Sequence, residues 1–182
     1  MGIIGRDRGF MDGPHLMLLY NTMVLPHLQY CLINCNRGLR DRLITLQKCL
    51  IRIKSGAHRK SHSLPLFANL ETLRVDDLFA QSVRAFCFQL WKGLLPSKMA
   101  SYVKKIDHGH STRGAKSNFY VGKSCPRSIK GIAPSYWNPL SMELKLSPSV
   151  ASFKERSKKD LLAPYVSFSC SVAGCYSCTV LA

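Results

Sequence analysis

The chain reads as a mainly α-helical fragment with a basic loop or small β-hairpin near residues 108–134. Three observations lead there. Apolar residues recur at helical spacing, most clearly at Leu39, Leu43, Leu46, Leu50 and Ile53, which step by 4, 3, 4 and 3. Between residues 108 and 134 the pattern changes: Gly109, Gly114, Gly122 and Gly131 punctuate it, and Asn118 to Val121 has β-type composition. At 46% apolar and 20% charged over 182 residues, the composition is that of a globular chain of one domain or slightly more.

Each element follows from local chemistry. Residues 1–13, with four glycines and mixed charge, read as a disordered or truncated start. Pro14 suits a first helical position, so a helix is expected to Leu25. Pro26 then ends or kinks it, and His27 to Ile33 forms a second short helix. Gly13 to Asn36 carries no Asp, Glu, Lys or Arg and is long enough to span a bilayer. His15, Asn21, Thr22, Pro26, His27 and Gln29 are a heavy polar load for hydrocarbon, however, so a buried helical hairpin is favoured over a membrane span.

The leucine stripe defines the next helix, from about Leu39 to Lys54, stopped by Gly56, with Lys48 and Arg52 on its opposite side. Ser63 to Phe67 is short and reads as an apolar clip. A long helix is expected from Val75 to Lys92, with Asp76 at its start and Phe79, Val83, Phe86 and Leu90 as its stripe. Gly93 and Pro96 stop it, and Ser97 caps a short helix to Lys105. Ser149 caps a last helix to about Leu162, ended by Pro164, and a Ser- and Cys-rich tail over 166–182 is expected to be poorly ordered. The organisation is thus a helical region over 14–107 and a basic region over 108–165.

Charge is the functional signal. The chain holds 26 Lys+Arg against 10 Asp+Glu, a net +16, which attracts phosphate backbones and anionic surfaces. Arg37 to Lys60 contains eight basic residues against one acid, Asp41; residues 108–134 contain five and no acid. The candidate phosphate contacts are Arg37, Arg40, Lys48, Arg52, Arg59 and Lys60 in the first patch, and Arg113, Lys116, Arg127 and Lys130 in the second. Phe119, Tyr120, Tyr136 and Trp137 lie near the second patch and are candidates for stacking on bases.

Catalytic and metal readings are weaker. Asp76-Asp77 precedes an apolar run at a helix start, where carboxylates complement the helix dipole rather than hold metal ions. His58 and His62 are separated by Arg59 and Lys60, which repel a cation. Cys170, Cys175 and Cys178 have part of a zinc-knuckle spacing and lack a fourth ligand. No P-loop, dinucleotide fingerprint or G-x-S-x-G occurs. Cys31, Cys49 and Cys87 fall in apolar helical stretches, and no secretory signal stands out, so a reducing compartment, nuclear or cytoplasmic, is expected.

Six segments in register resemble the thumb and downstream region of reverse transcriptases of non-LTR, LINE-type retrotransposons. They are LYNTMVLPHLQYC (Leu19–Cys31), LQKCLIRIKSGAHRKSHSLPLFANL (Leu46–Leu70), LLP (Leu94–Pro96), STRG (Ser111–Gly114), RSIKGIAPSYWNPL (Arg127–Leu140) and SFKERSKKDLL (Ser152–Leu162). The resemblance implies a region that cradles template and primer. It lies downstream of the polymerase palm, so it implies a non-catalytic fragment that binds RNA or DNA in a sequence-tolerant way. No cofactor and no small-molecule substrate are expected. The chain departs from the family at Cys35-Asn36, where a Trp-Gly pair is usual, and at Lys54, where Ile is usual. An inert transposon-derived remnant and a small membrane-associated protein using residues 13–36 are the alternatives.

Overall fold

The computed structural model describes residues 12–30, 32–101, 103–106, 117–123, 125 and 128–167. Over these the fold is mainly α, and its one β feature is an isolated antiparallel bridge between Lys105 and Phe119. Apart from residues 12, 13, 166 and 167, the expected disordered start and Cys-rich tail lie outside the described residues, and Gly13 and Val166 are helical. The chain divides into two compact units, one running to Leu78 and resuming at Leu161, the other comprising Phe79–Asp160.

The first unit begins with α1 (Gly13–Leu19), a π-helical turn (Tyr20–Val24) and α2 (Leu25–Gln29). Pro26 does not end the helix. The widened turn lets the Leu25 N–H bond back to the Tyr20 carbonyl, and Pro26 falls in the first turn of α2, where a missing N–H costs little. A 3-10 turn (Leu32–Asn34) leads to α3 (Arg37–Lys54), whose Asn36 cap accepts from the Leu39 N–H at 2.8 Å. Gly56, at φ 65°, closes α3 as the sequence predicts. The Ala57 N–H bonds the Arg52 carbonyl and the Gly56 N–H that of Ile53, the paired bonds of a Schellman end.

The buried side of α3 is not the leucine stripe. Ile44, Gln47, Leu50 and Ile51 are buried, whereas Leu39 and Leu46 are 46% and 45% exposed. The core-facing arc is turned about one residue, roughly 100°, around the helix axis. Gln47, fully enclosed, sits at its centre. Its amide donates to the Tyr20 hydroxyl at 2.8 Å and the Leu73 carbonyl at 2.9 Å, and its oxygen accepts from the Val75 N–H at 2.9 Å.

The expected apolar clip is a helix, α4 (Leu64–Asn69). Pro65 suits its first turn, and Leu66 and Phe67 join Tyr20, Ile51 and Tyr165 in the core of this unit. Next comes α5 (Val75–Trp91), with Asp76 and Asp77 in its first turn. Asp76 pairs with Arg74 at 3.3 Å, and Asp77 accepts the Tyr165 hydroxyl.

In the second unit, Gly93 at φ 72° ends α5, and α6 (Ser97–Ala100) is shorter than expected, giving way to the extended segment that bridges to Phe119. Part of the expected basic loop is instead α7 (Ile129–Trp137), capped by Ser128 and followed by α8 (Met142–Lys145). The core is aromatic. Trp137 packs near Trp91, Phe119 and Phe153 at centroid distances of 6.1, 5.6 and 6.2 Å, and Phe88 stacks on Phe153 at 4.4 Å. The last helix, α9 (Val150–Val166), has its Ser149 cap in place. It passes Pro164, because Tyr165 is buried and its hydroxyl also accepts from the Arg74 N–H at 3.1 Å. That anchoring in the first unit offsets one missing bond in the final turn.

Candidate nucleic-acid interface

In the first unit, the turned arc of α3 decides which basic residues face outward. Arg37 is exposed and Lys48 half-buried on the same edge, flanking the core arc. Arg40, also a candidate, falls within that arc and is half-buried. Exposed Arg42, on the far side of the helix, was missed. The turned core carries position 42 outward.

Arg52, a candidate phosphate contact, is half-buried and bonded within the chain. Its Nε and one terminal nitrogen donate to the Ser61 carbonyl at 3.0 and 2.9 Å, and Ser61 is buried. This fork ties the loop after α3 back to the helix. Within that loop the Ser61 N–H bonds the His58 carbonyl at 2.9 Å, and the Lys60 N–H bonds His58 Nδ1 at 3.2 Å. Arg59 and Lys60 consequently stand exposed at its tip. Lys54 is half-buried, and desolvation holds its ammonium pKa below the ordinary lysine value.

In the second unit, Lys130 is exposed in the first turn of α7. Arg113, Lys116 and Arg127 lie outside the described residues. The structure adds Lys92, Lys98, Lys104, Lys105 and Lys123, all exposed. Residues 92–106 hold four lysines and no acid, a signal visible in the sequence beside the stretch that was singled out. Lys105 lies with its ammonium 4.6 Å from the Trp91 ring centroid and donates to the Trp91 carbonyl at 3.2 Å. Of the four candidate stacking residues, Phe119 and Trp137 are wholly buried and Tyr136 packs edge-on against Phe79 at 5.9 Å. Tyr120 is 55% exposed.

The backbone beneath Tyr120 is firmly held. The Asn138 side chain pairs with both polar groups of Phe119, accepting from its N–H at 2.9 Å and donating to its carbonyl at 3.0 Å. Trp137 donates to the Ser117 carbonyl at 2.8 Å. Lys145, 4% exposed, donates to Asn118 Oδ1 at 2.8 Å and to the Asn138 carbonyl at 3.2 Å, and burial depresses its pKa.

Among the described residues no group of three His, Cys, Asp or Glu is placed to hold a metal, and no helix is long and apolar enough to cross a membrane. Cys170, Cys175 and Cys178 lie outside the described residues. Cys87 is fully enclosed, contacts the Ala133 carbonyl at 3.7 Å, and has its thiol pKa pushed up to about 12 by burial. A groove of about 320 Å³ beside α3 is lined by Met23, Val24, His27, Leu28, Leu46, Gln47 and Leu50. No family model, curated protein or solved structure matches the chain.

Proposed function

We propose that this chain binds RNA or DNA through the phosphate backbone, in a sequence-tolerant and non-catalytic manner, as a piece of the thumb and downstream region of a LINE-type reverse transcriptase. The observation that carries the reading is the surface of α3 and its following loop. Arg37 and Lys48 lie on one edge, Arg59 and Lys60 stand at the loop tip, and Asp41 is the one acid between residues 37 and 60. Such a surface exchanges condensed counterions for phosphates, so its affinity depends on salt and little on base identity. The fork from Arg52 supports the reading further, because it holds the loop cations in place before a ligand arrives.

The test is a salt titration of binding to labelled RNA and DNA oligomers of unrelated sequence. Replacing Arg37, Lys48, Arg59 and Lys60 with Ala should lower the slope of log affinity against log salt by about 3, at roughly 0.7–0.9 per phosphate contact. A control replacing Lys154, Arg156, Lys158 and Lys159 on α9 removes the same charge and should change the slope by less than half as much. Equal losses from both variants would overturn the interface in favour of an inert remnant that attracts polyanions by net charge alone.

A further inference from the structure

We propose that Tyr120 is a stacking platform for an unpaired base, so that the second unit takes single-stranded rather than duplex nucleic acid. The inference rests on the nucleic-acid reading above and deepens it. Lys105 and Phe119 face each other across the antiparallel bridge, with the Ile106 N–H donating to the Asn118 carbonyl at 3.1 Å and the Tyr120 N–H to that of Lys104 at 2.8 Å. Opposed residues of such a pair put their side chains on the same face, and successive residues alternate. Phe119 points inward to Trp91 and Trp137, so Lys104 and Tyr120 share the outward face. Both are exposed.

Gly122 adjoins one edge of the tyrosine ring. A Cβ on Gly122 would lie 3.1 Å from its Cε1 and 3.5 Å from its Cδ1, so a side chain there would press on that edge of the ring and shift it by a few tenths of an ångström. The Tyr120 side chain is 55% exposed. The surroundings are cationic. Residues 92–106 and 117–135 contain no acid, and Lys92, Lys98, Lys104, Lys105, Lys123 and Lys130 are exposed among them. An exposed aromatic face within a field of cations fits a strand whose phosphates are held while a base stacks. In a duplex the base faces are already covered by their neighbours, so the ring gains nothing there.

The experiment compares the full chain's affinity for three labelled probes at low salt: a thymidine oligomer, an abasic sugar–phosphate oligomer of equal length, and a duplex. The thymidine oligomer should bind about tenfold tighter than the abasic one, as one stacked base provides. Tyr120→Ala should abolish that preference without weakening the abasic probe, Tyr120→Phe should keep it, and Gly122→Ala should reduce it by displacing the ring. Equal binding of the thymidine and abasic probes, or a preference that survives Tyr120→Ala, overturns the platform and leaves the phosphate interface standing. No binding of any probe overturns both.

Discussion

The Arg52 guanidinium grips the Ser61 carbonyl with two hydrogen bonds, of 3.0 and 2.9 Å, across nine residues of chain. A planar fork on one acceptor fixes orientation as well as distance, and the charge on the donor strengthens both bonds. Arg52→Ala should therefore cost about 2 kcal/mol in urea unfolding and weaken nucleic-acid binding through the loosened Arg59 and Lys60. Arg52→Lys keeps the charge and loses the fork, and should recover less than half of the stability. Full recovery by lysine would mean that charge alone matters at this position.

Gln47 ties three separate segments of the first unit together through Tyr20, Leu73 and Val75. Gln47→Leu matches the apolar periphery but strands the Val75 N–H and the Leu73 carbonyl, in residues that are 0% and 2% exposed. The expected loss is about 3 kcal/mol or more, read as a lowered urea midpoint with an unchanged slope. A neutral or stabilising outcome would show that the backbone groups find other partners.

The same glutamine explains where sequence reading succeeded and failed. Helix existence, the Gly56 stop, the Ser149 cap and the acidic first turn of α5 depend on neighbours within a few residues, and these were legible. The orientation of α3 was not, because its core arc includes Arg40, Gln47 and Lys54. A count of apolar residues turns the helix toward its leucines. The partners that make Gln47 tolerable in the core come from 26 to 28 residues away. The Arg52 contact was hidden likewise, since it depends on a loop folding back, whereas Tyr120 was among four aromatic candidates and the fold leaves it alone of the four exposed.

Cys87 links the second unit's stability to alkaline pH. Its thiol is raised from 9.0 to about 12 by burial, so the folded state keeps a proton that the unfolded chain releases. This contribution is fully present below pH 9 and is lost as pH rises toward 12, by about 4 kcal/mol in total at 1.4 kcal/mol per unit. Tyr20 and Tyr165 are raised as well, by burial first, and act in the same direction above pH 10. Lys54 and Lys145, lowered by burial, act oppositely as they near their own deprotonation. Cys87→Val should flatten the fall in unfolding free energy between pH 9 and 10.5. Site-resolved alkylation at neutral pH should label exposed Cys125 rapidly and Cys87 only after unfolding.

Asn138 stands in for a missing strand. Its carboxamide satisfies both polar groups of Phe119, a residue buried against Trp91 and Trp137 and adjacent to Tyr120. Asn138→Asp keeps the acceptor for the Phe119 N–H but sets a carboxylate oxygen against the Phe119 carbonyl where a donor stood. The cost should be about 2–3 kcal/mol near neutral pH, and protonation of the new carboxyl should recover part of it as pH falls below about 5. Asn138→Ala removes both bonds without repulsion and should cost about 2 kcal/mol at every pH. Both variants loosen the Phe119 backbone next to Tyr120, so each should erode the preference for the thymidine oligomer while sparing the abasic one. If stability falls and that preference stays intact, Tyr120 is positioned by the bridge to Lys105 alone.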